Sequence, residues 1–257
     1  MAVRFHNHQR LYKRRKPEID AAIARVIASG RFDWGDEVPA FEAEFAAWVG
    51  AAYAVCVNSG TAALKVALLA LDIGPGDEVI TVGNTDIASS SSIHHTGGRP
   101  VWVEIDPVSK CMDVDALRAA ITPRTRAILP VDLYGHPADM KAIMTIAREH
   151  NLVVVEDACL SLGATIDGQK IGTFADITCF SFAPVKTSGQ LRQRRCSRHA
   201  KRRTGRENAQ ALCLRSGAGP PLHHAWAGRH ERPPSRDARA QRAAGRNAGR
   251  DPARQAP

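Results

Sequence analysis

The chain has 257 residues, 44% of them hydrophobic, a composition typical of a globular protein with one large domain or two small ones. Its formal net charge of +9 arises at one end, because residues 191–257 hold sixteen Arg and one Lys against two Glu and two Asp, a balance of +13 that leaves −4 for residues 1–190. No stretch approaches the roughly 20 apolar residues that cross a bilayer and the opening MAVRFHNHQRLYKRRK lacks the apolar centre of a signal peptide, so a cytoplasmic location is expected.

Two helices are predicted near the start of the chain. The first has apolar residues at helical spacing from Ile19 to Ile27 and a stop at Ser29-Gly30. The second presents Phe41, Phe45 and Trp48 at helical intervals. The basic stretch RLYKRRK before them is interpreted as a solvated segment and not as a nucleic-acid patch.

Short β-branched runs then alternate with helical segments, which is a βαβ pattern. Strands are predicted at 53–57, 77–81, 99–105, 126–133 and 152–157. Helices are predicted from Thr61, over 86–96, from a cap at Asp113 to Ile121, and from Pro137 to Asn151. Beyond them a turn at Asp167-Gly168 and a strand at 176–182 are expected. Because the runs are apolar on both faces, we predict an α/β fold with a mostly parallel sheet flanked by helices.

Three candidate functional groups follow predicted strand ends, where the functional groups of such sheets gather. The turn Asn58-Ser59-Gly60-Thr61 offers N–H groups at a helix N-terminus, which indicates either a phosphate site or a simple helix cap. Asp157 ends a buried strand and is either a cofactor ligand or a paired carboxylate at the strand end. Lys186 follows the apolar run FSFAPV, where desolvation favours a nucleophilic amine, although most lysines after strands are merely solvated.

Together these groups supply the contacts that pyridoxal 5'-phosphate needs at its phosphate, its pyridine nitrogen and its aldehyde. The combination therefore favours that cofactor more than any one group does. No metal site is expected, because the pair His94-His95 has no evident third ligand. The six cysteines form no close CxxC pair and are interpreted as small buried hydrophobic residues.

Six motifs stand in order between residues 12 and 189. They are NSGTAAL (58–64), PGDEVIT (75–81), ITPRTRAILPVDLYGHPADM (121–140), VVEDA (154–158), GATIDGQKIGTFAD (163–176) and FSFAPVK (180–186). This series resembles the DegT/DnrJ/StrS sugar aminotransferases, which are fold-type I pyridoxal-phosphate enzymes. A dehydratase branch of that family carries histidine in place of the lysine, so Lys186 favours transamination.

The resemblance implies a role for each matching residue. Lys186 is the catalytic residue that binds the cofactor aldehyde and shuttles protons, and Asp157 pairs with the ring nitrogen. The phosphate cradle comprises Gly60, Thr61, Ala62 and Ser181. The implied reaction moves an amino group from glutamate, or glutamine, to a keto sugar carried by a nucleotide, in polysaccharide or antibiotic sugar biosynthesis. A homodimer is implied as well, since active sites of the family are built across two subunits.

Three residues depart from the family pattern. Asp86 stands where an aromatic residue commonly stacks on the cofactor ring, and Leu160 stands where His or Gln often contacts the cofactor. Asp132 replaces a frequent histidine. These departures leave the cofactor expectation in place but leave the substrate open.

The likeness stops at Gly189, where the composition changes. Residues 191–257 contain no Val, Ile, Phe, Tyr or Met, and burying their few large apolar groups at about 2 kcal/mol each would not offset an ordering cost of about 1–2 kcal/mol per residue. We therefore predict a disordered basic tail over 191–257, after an incomplete pyridoxal-phosphate-binding large domain over 1–190, with the family's small C-terminal domain missing.

The tail is rich in Arg, Ala, Gly and Pro, the residues of GC-rich codons. A frame change in a GC-rich gene is therefore our hypothesis for its origin. Resequencing tests it, because an intact frame with no aminotransferase-like text in either alternative frame would remove the idea. Two other functions stay open: a non-catalytic cofactor-binding remnant or regulator, and a nucleic-acid-binding protein acting through its basic tail. The tail lacks interleaved aromatic residues and a zinc pattern, so nucleic acid is not the expected partner.

Overall fold

The computed structural model describes residues 8–32, 35–183, 186 and 211–215. The described helices are α1 (His8–Ser29), α2 (Glu37–Val49), α3 (Gly60–Ala70), α4 (Ile87–His95), α5 (Val114–Ala120) and α6 (Met140–His150). The described strands are β1 (Tyr53–Val57), β2 (Glu78–Val82), β3 (Arg99–Val103), β4 (Thr125–Ile128), β5 (Val153–Asp157), β6 (Thr165–Ile166), β7 (Gln169–Lys170), β8 (Ile177–Ser181) and β9 (Ala211–Arg215). A short 3-10 helix spans Leu133–Gly135.

Seven strands form one sheet in the order β1-β9-β8-β5-β4-β2-β3. The strands from β8 to β3 pair in parallel, and β9 is antiparallel to both of its neighbours, β1 and β8. Strands β6 and β7 form a separate hairpin whose turn residues, Asp167 and Gly168, both have positive φ. The predicted α/β fold with a mostly parallel sheet is confirmed.

The core lies on the sheet and under its helices. All five residues of β2 and of β8 are buried, as expected for strands covered on both faces. Helix α3 buries Ala63, Leu64, Ala67 and Leu68, and α6 buries an apolar face that begins at Met140. Burial of each Leu or Ile contributes about 1.5–3 kcal/mol, so these helices are held mainly by their contact with the sheet.

Side-chain caps fix where the helices begin. Asp113 accepts a hydrogen bond from the Ala116 N–H at 2.7 Å, which confirms the predicted cap of α5. The predicted start of α6 at Pro137 is wrong by three residues, because Asp139 caps that helix through the Ala142 N–H. The predicted end of α6 at Asn151 is confirmed, and Asn151 adopts the left-handed conformation there.

Helix α1 is longer than predicted, since it begins at His8 and not near Ile19. The basic stretch is therefore helical, although most of its side chains are exposed. Ion pairs Arg15–Glu18 and Lys16–Asp20 span Pro17 at helical spacing, and Lys and Arg are good helix formers. None of the helices in the described part of the chain is long and apolar enough to span a membrane.

Strand β9 lies inside the segment that the composition predicted to be disordered. Its five residues form part of the sheet, so the expectation fails for Ala211–Arg215. The rest of the predicted tail lies outside the described residues and stays a prediction. The physical reason is that five residues inserted between two strands gain ladder hydrogen bonds on both sides, a gain that average composition does not register.

Candidate active site

The carboxyl ends of β1, β5 and β8 bring the predicted functional groups to one edge of the sheet. Strands β5 and β8 are direct neighbours, and Asp157 at the end of β5 is the Cα partner of Cys179 in β8. Helix α3 begins three residues after β1, and Lys186 follows β8 by five residues. Parallel strands end at a common edge, so residues far apart in the sequence meet there.

The N-terminus of α3 is both a helix cap and an open donor site. Ser59 is extended, and its Oγ accepts a hydrogen bond from the Ala62 N–H at 3.1 Å. Within the described residues the N–H groups of Gly60 and Thr61 have no protein acceptor. The cap therefore uses Ala62, and two N–H groups remain for an anion at the positive end of the helix dipole.

Gly60 brings this helix end against the other two strands. A Cβ atom at Gly60 would lie 3.0 Å from Cys159 Sγ and 3.6 Å from Ser181 Cβ. Ser181 ends β8 and is 5% exposed. The absence of a side chain at Gly60 thus allows the α3 N-terminus, the loop after β5 and the end of β8 to approach one another closely.

The Asp157 carboxylate is 5% exposed and is held by two donors. Its Oδ2 accepts from Ser89 Oγ of α4 at 2.9 Å, and its Oδ1 accepts from the Cys159 N–H at 3.3 Å. The Asp132 N–H donates to its carbonyl at 3.1 Å. In the described part of the chain no lysine or arginine forms an ion pair with it. Neutral donors therefore hold this carboxyl group in place within the described structure.

Lys186 is half-buried and its N–H donates to the Ala183 carbonyl at 2.9 Å. The pKa of the Cys159 thiol is raised most by burial and further by the Asp157 carboxylate. Lys186 lowers the pKa of the same thiol. Both charges are thus within electrostatic reach of Cys159. Asp157 at the end of β5 and Lys186, five residues after β8, both follow strands that end at the same edge of the sheet.

Two more buried carboxyl groups lie next to Asp157. Burial raises the pKa of Asp132 to about 7, and the nearby Asp157 carboxyl group also raises it. Hydrogen bonds from Ser161 Oγ at 2.6 Å and from the Ala138 N–H at 3.0 Å lower it. Burial also raises the pKa of Glu156 well above its usual range, with Asp132 as the next cause. Glu156 Oε1 has no hydrogen-bond partner among the described residues.

The sequence did not predict the groups that donate hydrogen bonds to the Asp157 carboxyl group. Ser89 is 68 positions away and belongs to the run ASSSS of α4, in which Ser89 and Ser92 are fully buried. Two buried serines on the same helical face as Ile93 were the available signal. Cys159 was treated only as a small hydrophobic residue, yet its N–H and thiol both border the site.

The departures from the family pattern have definite places. Asp86 is exposed and caps α4, accepting from the Ala88 N–H at 3.0 Å. Leu160 is half-buried, and its carbonyl lies 3.2 Å from where a Cβ of Gly135 would be. The neighbouring Tyr134 has φ 58° and a side chain that is 77% exposed. Neither Asp86 nor Leu160 supplies an aromatic ring, so any stacking contact must come from elsewhere.

Comparison with known proteins shows the family of this chain. The DegT/DnrJ/EryC1/StrS aminotransferase family matches residues 13–189. The chain belongs to that family. Among its relatives, the dTDP-3-amino-3,4,6-trideoxy-alpha-D-glucose transaminase of Streptomyces venezuelae is 49% identical over 187 residues, covering 73% of this chain and 49% of the relative. The UDP-N-acetyl-3-dehydro-alpha-D-glucosamine 3-aminotransferase of Acidithiobacillus ferrooxidans is 47% identical and covers 68% and 47%.

Solved structures agree on the fold. DesV of S. venezuelae matches with a TM-score of 0.75 and 42% identity, covering 86% of this chain and 55% of that one. NtdA of Bacillus subtilis, solved with bound cofactor PMP, matches with a TM-score of 0.70 and 34% identity, covering 83% and 45%. The chain of this DegT/DnrJ/EryC1/StrS aminotransferase family member spans about half the length of the curated relatives it matches.

The residues present fit the cofactor of these enzymes. The N–H groups of Gly60 and Thr61, which have no acceptor among the described residues, suit a phosphate, and the Asp157 carboxyl group, which pairs with no described Lys or Arg, suits a protonated ring nitrogen. Lys186, which follows β8 at the same edge of the sheet, would supply an amine for the aldehyde. Phosphate, ring and aldehyde thus each meet a group of matching chemistry.

Proposed function

We propose that this chain is a pyridoxal-phosphate-dependent aminotransferase that moves an amino group from glutamate, or glutamine, to the keto group of a nucleotide-linked sugar. The observation that supports it most is the meeting of the α3 N-terminus, Asp157 and Lys186 around Cys159 at one sheet edge. The names of the two relatives support the substrate class, because one is a dTDP-sugar and the other a UDP-sugar aminotransferase. Their different nucleotides leave the base open, whereas both names give carbon 3 as the reacting position, which is why a 3-keto sugar is the substrate to test.

Pyridoxal phosphate, when bound, supplies an aldehyde and a ring that withdraws electrons from the reacting carbon. Lys186 would bind that aldehyde and, once released from it, hold and move the proton of the amino acid carbon. Asp157 would keep the ring nitrogen protonated, and Ser89 Oγ and the Cys159 N–H fix the carboxylate for that task. Gly60 and Thr61 would hold the phosphate through their N–H groups, with the Ser181 hydroxyl beside them.

An absorbance scan tests the cofactor part of the proposal. Purified protein mixed with pyridoxal phosphate is expected to show the visible band of the cofactor bound to a lysine, and glutamate is expected to bleach it. Lys186→Ala should abolish the band. Lys141→Ala is a matched control, because Lys141 is 57% exposed and pairs only with Asp167 at the surface. A band that survives Lys186→Ala, or is lost in Lys141→Ala, would contradict the assignment.

Transfer to a keto sugar needs a separate assay. The amine form of the cofactor, produced by glutamate, should be converted back by a 3-keto dTDP- or UDP-sugar and not by the free keto sugar. The proposal includes a homodimer, which gel filtration at several protein concentrations would reveal. A protein that is monomeric at every concentration would remove that part.

A second candidate is a cofactor-binding protein without transferase activity. It is favoured by one observation: the family match ends at residue 189, and residues 190–257 lie outside it. The two candidates separate in the assays above. A lysine-dependent band that glutamate bleaches but no keto sugar restores would favour the second.

A further inference from the structure

We propose that β9, which lies outside the family match, is the positioning element of the site: it holds the phosphate cradle of β1 and α3 in register with Ser181 and Lys186 after β8. This inference rests on the proposed function, since it concerns the same phosphate cradle. It assigns a task to a segment whose composition alone predicted disorder.

The pairing of β9 is complete on both sides. All five of its residues have Cα partners in β1, from Tyr53↔Arg215 to Val57↔Ala211. The same five have partners in β8, from Ile177↔Arg215 to Ser181↔Ala211. Among the described strands, β9 is the only one that pairs with β1. Within the described residues, β1 is thus joined to the sheet through this segment.

The register connects the two halves of the site at its carboxyl edge. Ala211 is the partner of Val57, the last residue of β1, and also of Ser181, the last residue of β8. Gly60 follows Val57 by three residues and approaches Ser181 closely. Adjacent strands are about 4.8 Å apart, so β9 sets the spacing of β1 from β8 at about twice that distance. Without β9 no described strand would join β1 to β8, and the cradle would be placed only by helix contacts, such as the Cys56 N–H to Glu42 bond to α2 and the Ser92 Oγ to Thr61 carbonyl bond from α4.

The sequence of β9 suits this position. The segment ALCLR contains no Pro or Gly, and it holds two of the few large apolar residues found after residue 190. It is followed by SGAGPP, which ends a strand. A strand with neighbours on both sides loses a ladder hydrogen bond when proline replaces any of its residues, so the assignment can be tested through the backbone alone.

The test compares Cys213→Pro with Cys213→Val in the full chain, and with Ala244→Pro as a proline control elsewhere in the tail. Cys213 is the central residue, paired with Val55 and Cys179. Amide exchange read by mass spectrometry should show protection at 211–215 and 53–57 in the wild type, Cys213→Val and Ala244→Pro. Cys213→Pro should lose protection at 53–57 but keep it in β2, β4 and β5. If Cys213→Pro does not accumulate, Cys213→Gly is the milder variant and should show the same loss in part.

Positioning has its own readout, the ratio of affinities for pyridoxal phosphate and for pyridoxal. Both react with Lys186, but only the first uses the cradle. In Cys213→Pro the ratio should fall about tenfold or more, the factor of one lost charge-assisted hydrogen bond, while pyridoxal binding is retained. Free exchange of 211–215 in the wild type, or an unchanged ratio in a Cys213→Pro protein with exposed β1 amides, would overturn the proposal.

Failure of the proposed function would look different. In that case neither aldehyde would form a lysine-dependent band in any variant. The exchange of the 53–57 amides would then still decide whether β9 holds β1 in place. Protection of those amides that is equal in Cys213→Pro and Cys213→Val would overturn the positioning role.

Discussion

Buried carboxyl groups have opposite surroundings at the amino ends and at the carboxyl ends of the parallel strands, here called the amino edge and the carboxyl edge. At the amino edge, the Glu78 side chain is 3% exposed and pairs with Arg124 at 2.8 Å and Arg99 at 3.7 Å. A hydrogen bond from Thr122 lowers its pKa most, and the arginines lower it further. At the carboxyl edge, Asp132 and Glu156 are fully buried, and no described cation pairs with either. Burial raises the pKa of both.

The paired carboxylate at the amino edge contributes to stability, whereas the carboxyl groups at the carboxyl edge, which pair with no described cation, indicate a functional site. At the amino edge the Glu78 carboxylate is paired with arginines of the protein itself, so it is not available to a ligand. The carboxyl edge concentrates three acidic groups without a paired cation, which is costly unless protons or a ligand compensate them. Groups with strongly perturbed pKa values gather at functional sites for this reason. A cofactor with a protonated ring nitrogen is such a compensating ligand.

The largest expected effect is on the pH dependence of stability at the carboxyl edge. The folded pKa of Asp132 is raised to about 7 from 3.8, so the folded state holds this proton more tightly than the unfolded state does. Stability from this group is complete below pH 4 and is lost as pH rises to about 7, by up to about 4 kcal/mol at about 1.4 kcal/mol per unit. Asp132→Asn, which mimics the protonated form, should remove that loss.

Urea denaturation at pH 4 to 8 measures this difference. The wild type should weaken relative to Asp132→Asn as the pH rises. Asn can still accept from the Ala138 N–H and donate to Ser161 Oγ, so its fold should be intact. Parallel stability curves for the two proteins would show that Asp132 is ionised in the folded state, and the contrast between the edges would fail.

A smaller effect of opposite sign is expected at the amino edge. Because the pKa of Glu78 is lowered, its contribution is present above its unfolded pKa and is lost as pH falls through the lower folded value. Glu78→Gln should therefore cost about 1–3 kcal/mol at pH 7, the range for hydrogen bonds to charged groups, and little in strong acid. Chemical denaturation at pH 7 and pH 3 gives both values.

The arginines offer a matched pair for Glu78. Arg124→Ala removes the 2.8 Å contact, and Arg99→Ala removes the 3.7 Å contact. The first should cost more than the second, and each should cost less than Glu78→Gln because both arginine side chains are more than half exposed. An Arg99→Ala effect larger than that of Arg124→Ala would contradict the assigned geometry.

The smallest effect concerns close packing at the carboxyl edge. Gly60→Ala places a Cβ 3.0 Å from Cys159 Sγ, so the thiol must shift by a few tenths of an ångström. We expect a loss of about 1 kcal/mol in the free energy of unfolding and weaker retention of pyridoxal phosphate. Thermal unfolding and the visible band of the cofactor bound to a lysine give the two values.

A double variant supplies the control. Gly60→Ala with Cys159→Ala should recover most of the loss, since the contacting sulfur is gone. Gly83→Ala is a second control, because a Cβ there meets nothing within 4 Å. Equal losses in the single and double variants would mean that the contact with Cys159 does not limit this site.

Much of the fold could be predicted because strands buried on both faces appear in the sequence as short continuous apolar runs. The run 53–57 was predicted as a strand with the bounds that β1 has, and 152–157 differs from β5 by one residue. The meeting of Asp157 and Lys186 at one edge followed from the rule that parallel strands end together. The predicted and observed elements agree where successive residues of an element share the same buried environment.

The rest depends on contacts that no local pattern carries. Ser89 and Asp157 are joined across 68 positions, and Asp132 and Ser161 across 29. The helical start at His8 was missed because its residues favour a helix through ion pairs and propensity, without an apolar stripe. Strand β9 was missed because its partners precede it by some 30 residues on one side and more than 150 on the other.

That last separation has a consequence for synthesis on the ribosome. Strand β1 ends at Val57, but its only described sheet neighbour starts at Ala211. At about 5–20 residues per second, roughly 8 to 30 s pass before the partner is translated. During that interval the side of β1 that will face β9 carries unpaired backbone groups, a template for pairing with other chains. Slower translation or scarce chaperones should therefore lower the yield of this protein through aggregation of its earliest strand.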